Sequence, residues 1–297
     1  MWQRRNTAVP TMNIEKIRNL RLAPLEQKYD ARDTILYALG LGYGADPLDE
    51  TELPFVYEQS LRAVPSMCST LCHPGFWLRD PAYEVDWVKI LHAEQYFEMH
   101  APRPPIGTIR GEYRVMGIED KGAQKGALLH QQKVLHDVAT GQKLATVRST
   151  LFLRGNGGEG RFGEPIAAAA PLPERTPDRI VELETLPGAA LIYRLSGDWN
   201  PLHADPEIAR RAGFPRPILH GLCTAGMACR AVLASYAASD PARLRSMFVR
   251  FSSPFYPGET LRLEFYEDVD RIRFRALAQE RATVVLDRCG AEILPPP

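Results

Sequence analysis

Apolar and polar residues alternate with a period of two along much of the chain, and the places where that alternation breaks mark its organisation. In the first half, residues 107–122 (GTIRGEYRVMGIEDKG), 127–138 (ALLHQQKVLHDV) and 143–155 (KLATVRSTLFLRG) read as a strand meander turning at Lys121-Gly122 and Thr140-Gly141. An earlier stretch, 30–44 (DARDTILYALGLGYG), supplies a helix, and 87–100 (WVKILHAEQYFEMH) another strand. The second half opens with two short runs suited to strands, 179–186 (RIVELETL) and 189–197 (AALIYRLSG), separated by Pro187 and Gly188. A polar loop follows, and then a short helix, 205–213 (DPEIARRAG), with Asp205 as N-cap, Pro206 at its first position and Gly213 at its end. Residues 218–239 (ILHGLCTAGMACRAVLASYAAS) are apolar on nearly every face and unbroken by proline, as a buried central helix should be. Three long strand segments close the chain: 246–268, turning at Pro257-Gly258, then 271–280 and 282–293.

Helix followed by consecutive strands indicates an antiparallel sheet wrapped on a helix, an α+β arrangement. The stretch 154–179 (RGNGGEGRFGEPIAAAAPLPERTPDR) is rich in Gly, Pro and Ala with almost no hydrophobic period, and reads as a linker. Residues 1–153 and 180–297 then form two halves of similar strand order, an architectural duplication.

The composition narrows the range of partners. Lys plus Arg equals Asp plus Glu at 36 each, so no global field draws the chain toward nucleic acid or an anionic membrane, though local arginines could hold a small anion. Five cysteines in 297 residues build no disulfide framework and fit a reducing compartment. The charged start MWQRRN is followed by polar residues and Pro10 instead of an apolar core, no run reaches the ~18 residues of a membrane span, and the final LPPP is no peroxisomal tripeptide. A cytoplasmic protein is the expectation.

Chemistry concentrates in residues 196–205, SGDWNPLHAD. Gly197, Asp198, Asn200, Pro201 and His203 lie too close together for any regular helix or alternating strand. Asp198 and His203 are five positions apart, and a loop doubling back through Asn200-Pro201 could bring carboxylate and imidazole around one water, the pairing most used for proton transfer near neutral pH. The same residues could instead cap a turn and satisfy a buried carbonyl. Asp198, His203, His220 and Cys223 include acceptable zinc ligands but match no common zinc spacing, and Leu202 stands where a calcium loop needs an oxygen, so no metal is expected. Downstream, Gly221 sits just inside the start of the buried helix, where unpaired N–H groups could stabilise an oxyanion; close packing of helix on sheet explains a glycine there equally well. GLGYG at 40–44 follows a helical run and reads as a helix end, Ser196 lacks a nucleophile elbow, and His73, His92, His100, His130 and His136 each stand alone.

Residues 193–228, YRLSGDWNPLHADPEIARRAGFPRPILHGLCTAGMA, resemble the signature of the type 2 enoyl-CoA hydratases, in the MaoC-like dehydratase group of the hot-dog superfamily. Tyr193, Ser196, Gly197, Asp198, Asn200, Pro201, His203, Pro217, Ile218, His220 and Gly221 all fit. VRFSSPFYPGETL at 249–261, RDTILYALGLGYG and FVYEQSLRAVPSM resemble further parts of the double hot-dog members, whose N-terminal half is a degenerate copy. The resemblance implies reversible hydration of a trans-2-enoyl-CoA to the (R)-3-hydroxyacyl-CoA, with water held between Asp198 and His203, Asn200 orienting the dyad or water, and the Gly221 N–H stabilising the enolate oxygen. It implies no metal or redox cofactor, coenzyme A entering only as part of the substrate. Arg194, Arg216, Arg250 and His220 are the candidates for substrate contact, the arginines for CoA phosphates. A homodimer is expected, and loss of the central helix from the first half would accommodate the acyl chain, with 73–87 (HPGFWLRDPAYEVDW) lining that space or forming ordinary core. Two rivals remain: a dehydratase of branched, dicarboxylic or carrier-protein-bound hydroxyacyl thioesters, and a non-catalytic acyl-CoA-binding protein of the same fold.

Overall fold

The computed structural model describes residues 12–269 and 271–296, so the MWQRRN start lies outside the described residues. Strands β1 (Leu25–Tyr29), β2 (Ile90–Met99), β3 (Gly107–Asp120), β4 (Ala127–Asp137) and β5 (Lys143–Leu153) belong to the first half, and β6 (Arg179–Glu184), β7 (Leu244–Phe251), β8 (Thr260–Glu267), β9 (Ile272–Ala278) and β10 (Thr283–Ile293) to the second. All ten join one antiparallel sheet in the order β1-β3-β4-β5-β2-β7-β10-β9-β8-β6. Reading outward from the centre, each strand of one half meets its counterpart five places on in chain order: β2 matches β7, β5 matches β10, and so on to β1 and β6. This is a double hot dog, and the architecture repeats although the sequence does not. The two halves fuse where β2 pairs with β7, from Glu94 opposite Arg250 to Glu98 opposite Ser246.

Six α-helices are described: α1 (Ile14–Arg18), α2 (Ala31–Gly40), α3 (Leu53–Val56), α4 (Ala189–Tyr193), α5 (Pro206–Arg211) and α6 (Gly221–Tyr236). Helix α6 lies on β7 and β10 and buries Cys223 through Cys229 without interruption, which explains its near-uniform apolarity. In the matching place on β2 and β5, the first half carries only a buried 3-10 turn, Pro65–Ser69. Helix α2, closed at its start by a capping box between Asp30 and Asp33, packs on α3 and α4. Its end meets α6 closely: a Cβ on Gly226 would stand 2.4 Å from Leu41, and the Cys223 thiol donates to the Gly40 carbonyl at 3.3 Å. Glu52 and Arg230 form a further tie between the halves, a largely buried ion pair with N–O distances of 2.5 and 3.0 Å.

Two expectations need correction. Residues 189–193 are helical, not a strand, and continue into a 3-10 turn at Arg194–Ser196. An apolar run this short has no period to distinguish the two, and α4 is set by burying Ala189, Ala190 and Tyr193 against α2, with the Tyr193 and Tyr37 rings 5.8 Å apart. Nor do the segments on either side of Pro257-Gly258 pair as a hairpin. β7 joins β2 and β10, while β8 joins β9 and β6, so the connection crosses the sheet. Residues 73–87 build a small second core: Leu78 and Val85 join Met12, Ile17, Ile118, Ala127, Leu129 and Leu153. Between β5 and β6 the chain forms no helix or named strand, but it is anchored: buried Asn156 accepts from the Asp86 N–H at 2.9 Å, and Phe162 bridges to Ile118.

Candidate active site

The polar loop is built by consecutive caps. After the 3-10 turn at Arg194–Ser196, Gly197 takes φ +117°, a left-handed conformation that costs a glycine little and turns the chain out of its helix. Asp198 Oδ1 accepts from the Asn200 N–H at 3.1 Å, and Asn200 Oδ1 from the Leu202 N–H at 3.1 Å. Asn200 thereby caps the turn Pro201–His203, and Asp205 accepts from the Glu207 and Ile208 N–H groups to start α5. Each small polar side chain fixes the backbone two residues on, so Asp198 and His203 are carried on a loop with little freedom.

Across from this loop stands the entry to α6. His203 Nδ1 lies 2.9 Å from the Ile218 carbonyl, which can only accept, so Nδ1 carries the proton and Nε2 presents its lone pair. His220, the N-cap of α6, is 1% exposed and donates from Nε2 to the Asp198 carbonyl at 3.2 Å. Its ring stacks on His203 at 3.7 Å and lies 5.0 Å from the Tyr193 ring. The Asp198 carboxylate and the two imidazoles thus bring one nitrogen or oxygen each within 4.8 Å of one another, the carboxylate exposed and both rings buried. Burial holds the His203 pKa below the ordinary imidazole value, opposed by the Ile218 bond and the Asp198 charge. Burial and the neighbouring His203 depress His220 further, to about 4. Both rings are neutral near pH 7.

His203 turns one ring nitrogen to the Ile218 carbonyl and His220 one to the Asp198 carbonyl, so each imidazole keeps one nitrogen that, with the Asp198 carboxylate, could hold a cation or a water. Cys223, the other candidate ligand, points to Gly40 and is buried in the core. Gly221, next to His220, is the first residue of α6, where the helix ladder leaves the N–H without a partner. A Cβ there would stand 3.1 Å from the Phe251 ring, so close packing and an open N–H both favour glycine.

Among the candidate phosphate contacts, Arg194 places its guanidinium 4.7 Å over the exposed Trp199 ring, beside Asp198. Arg216 donates to the Pro257 carbonyl at 2.9 Å and covers the Tyr256 ring at 5.0 Å. Arg250 lies in β7 with acidic cross-strand neighbours, Glu94 and Asp287. The structure also draws in two histidines that stood alone in the sequence: the Asp198 charge acts on His73 and His92, although burial keeps both depressed, His92 to about 4. Separations of more than a hundred residues concealed this. His92 reaches the site through Phe251, whose ring lies 4.9 Å away.

Two family models match successive parts of the chain. Residues 168–288 match the MaoC-like domain, and residues 27–155 match the N-terminal domain of the hydratase 2 part of multifunctional enzyme type 2. A peroxisomal enoyl-CoA hydratase 2 of Arabidopsis thaliana is 36% identical over 282 residues, spanning 90% of this chain and 91% of that protein. The chain belongs to the MaoC-like hydratase 2 family. The enoyl-CoA hydratase ChsH3 of Mycobacterium tuberculosis is 37% identical over 280 residues, 93% of this chain and 96% of its own. The crystal structure of a MaoC-like dehydratase from Phytophthora capsici superposes with a TM-score of 0.84 at 35% identity, covering 96% of this chain and all of that one (100%). Like these hydratase 2 relatives, the protein is a hydro-lyase. Among the described residues no helix is long and apolar enough to cross a membrane.

Proposed function

We propose that this protein adds water reversibly across the double bond of a trans-2-enoyl-CoA to give the (R)-3-hydroxyacyl-CoA, using Asp198, His203 and Gly221. The observation that carries the reading is the fixed tautomer of His203: with Nδ1–H committed to Ile218, Nε2 is left as an acceptor beside the Asp198 carboxylate. A water between them loses a proton to one member as its oxygen bonds to C3. The C2=C3 pair moves toward the thioester, whose oxygen gains negative charge, and C2 then takes a proton from the dyad, so one water is added in all. The developing oxyanion needs a preorganised donor, and the unpaired Gly221 N–H at the positive end of α6 supplies it. Asn200 acts through the loop, because its side chain holds the Leu202 N–H. His220 braces the site by bonding the Asp198 backbone and stacking on His203. Arg194 and Arg216 are the favoured phosphate contacts, whereas the acidic neighbours of Arg250 make it a poor anion site. The thioester provides the activation, and no metal or redox group enters any step.

The test is loss of enoyl-thioester absorbance with trans-2-enoyl-CoAs of several lengths, with chiral analysis of the product. Formation of the (R)-alcohol, abolished in Asp198→Asn and His203→Ala, is the expected result. CoA thioesters that bind without turnover would move the assignment to a non-catalytic binder.

A further inference from the structure

The dyad loop and the entry to α6 meet as a set of acceptors. His203 donates its Nδ1 proton to the Ile218 carbonyl, which leaves Nε2 as a bare lone pair. His220 donates its Nε2 proton to the Asp198 carbonyl, which leaves Nδ1 bare. That Nδ1 is buried and has no hydrogen-bond partner. Asp198 spends Oδ1 on the Asn200 N–H, so Oδ2 is the freer end of an exposed carboxylate. One nitrogen or oxygen of each residue lies within 4.8 Å of the others.

A single water cannot satisfy all three. It carries two hydrogens, so a water donating to two of these acceptors leaves the third unmet, and an unmet buried acceptor costs about 1–3 kcal/mol. A divalent cation is held by lone pairs alone and needs no hydrogens. Both imidazoles already have the arrangement that protein metal sites use, with the remote N–H anchored on a backbone carbonyl so that tautomer and ring orientation are fixed. Two imidazoles and one carboxylate suit Zn²⁺ and its transition-metal neighbours, whereas Mg²⁺ and Ca²⁺ take oxygen ligands. At metal–ligand distances of about 2.0–2.2 Å, tetrahedral ligand atoms stand about 3.4 Å apart, so the set must close by up to about 1.4 Å. The exposed Asp198 carboxylate can make that movement while the buried rings stay in place. One charge opposes the ion: the Arg194 guanidinium, held over Trp199, acts on both imidazoles.

We propose that Asp198, His203 and His220 form a reversible binding site for Zn²⁺ or a similar transition-metal dication, and that filling it shuts off water addition. The ion takes up the His203 Nε2 lone pair and the Asp198 carboxylate, so neither is free to accept a proton, and it displaces the water that would react. Binding follows from the ligand set alone, and only the inhibition rests on the hydratase reading.

The experiment titrates the chelator-treated full chain with Co²⁺, followed by visible absorption, and with Zn²⁺, followed by calorimetry. All five cysteines are buried and do not compete for the probes. One Zn²⁺ per chain, with a Co²⁺ d–d band, is the expected result. Affinity should fall at least about tenfold in Asp198→Asn, the loss that even an outer-shell partner brings. The same loss is expected in His220→Phe, which keeps a ring against His203 and removes both nitrogens. Arg194→Gln should instead bind Zn²⁺ more tightly, a shift that misfolding cannot imitate. In the wild type, Zn²⁺ should stop hydration of a trans-2-enoyl-CoA and EDTA should restore it. No binding, binding that survives both Asp198→Asn and His220→Phe, or hydration that continues with the site filled overturns the proposal. If Zn²⁺ binds at these residues but the metal-free protein hydrates no enoyl-CoA, the hydratase reading fails, and the inhibition with it, while the metal site stands.

Discussion

The two halves share a strand order but differ in what they lay upon it. On β7 and β10 the second half sets α6, sixteen residues that bury a continuous apolar face and open at Gly221 beside the dyad. On β2 and β5 the first half sets a five-residue 3-10 turn, Pro65–Ser69. A long helix fills its space with its own side chains and internal hydrogen bonds. A short turn does neither, and the first half compensates with charge: buried Lys133 of β4 donates to the Ser69 carbonyl at 3.2 Å and also to the Leu71 carbonyl. One half thus covers its sheet with a helix that opens beside the dyad, while the other covers it with a buried turn whose carbonyls a lysine satisfies.

The largest test of this contrast is catalytic. Asp198→Asn and His203→Ala are expected to lower kcat/KM by ~10²–10⁴, whereas His100→Ala in the first half leaves it unchanged, as steady-state kinetics would show. Because burial depresses the His203 pKa, Nε2 stays unprotonated to lower pH than usual. The acid limb of kcat/KM should fall below the free-imidazole value of ~6.5.

Next in size is the tie between halves. The Arg230 and Glu52 side chains are 12% and 8% exposed, with Arg230 in α6 and Glu52 in the first half. Breaking the pair by Glu52→Gln leaves Arg230 buried without its charge partner and should cost about 3–5 kcal/mol in denaturant unfolding. Replacing both residues with apolar ones of similar volume should recover most of that. A smaller loss, ~1–3 kcal/mol, is expected for Gly226→Ala, which drives a methyl into Leu41 where α6 meets the end of α2.

A further contrast between the halves is read by pH. Burial pushes Lys133 down to about 8 from 10.5, so between those values the unfolded chain binds more protons than the folded one. Stability then rises with pH across that window, on account of this group. Denaturation from pH 7.5 to 10.5 should show the rise as a difference between the wild type and Lys133→Met. A flat difference would show that the ammonium is not strained by burial.

Which of these features could be read in the sequence follows from their range. The meander β3–β5 is set off by its turn residues, and the caps at Asp30, Asn200 and Asp205 act within three residues, so both rest on local sequence. The site loop was legible for the same reason. Ala189–Tyr193 was not, because five apolar residues carry no period and the packing of Tyr193 on Tyr37 decides their conformation. The separation of β7 from β8 depends on β9 and β10 filling the interval, a fact of the sheet and not of the turn. Lys133 and the Glu52–Arg230 pair are likewise long-range: their partners lie 62 to 64 and 178 residues away. The bond from His220 to the Asp198 carbonyl gives a motif histidine its bracing part, which spacing alone could not assign.

The seam from Glu94–Arg250 to Glu98–Ser246 has a kinetic meaning as well. Since β2 and β7 are segments of one chain, the two halves meet at an effective concentration set by their tether and not by how much protein the solution holds. Dilution cannot part β2 and the Pro65–Ser69 turn from β7 and the start of α6. A site whose pocket wall and acid/base loop came from separate chains would lose activity as it was diluted through its dissociation constant. For this chain the specific activity per molecule should stay constant down to the lowest assayable concentration.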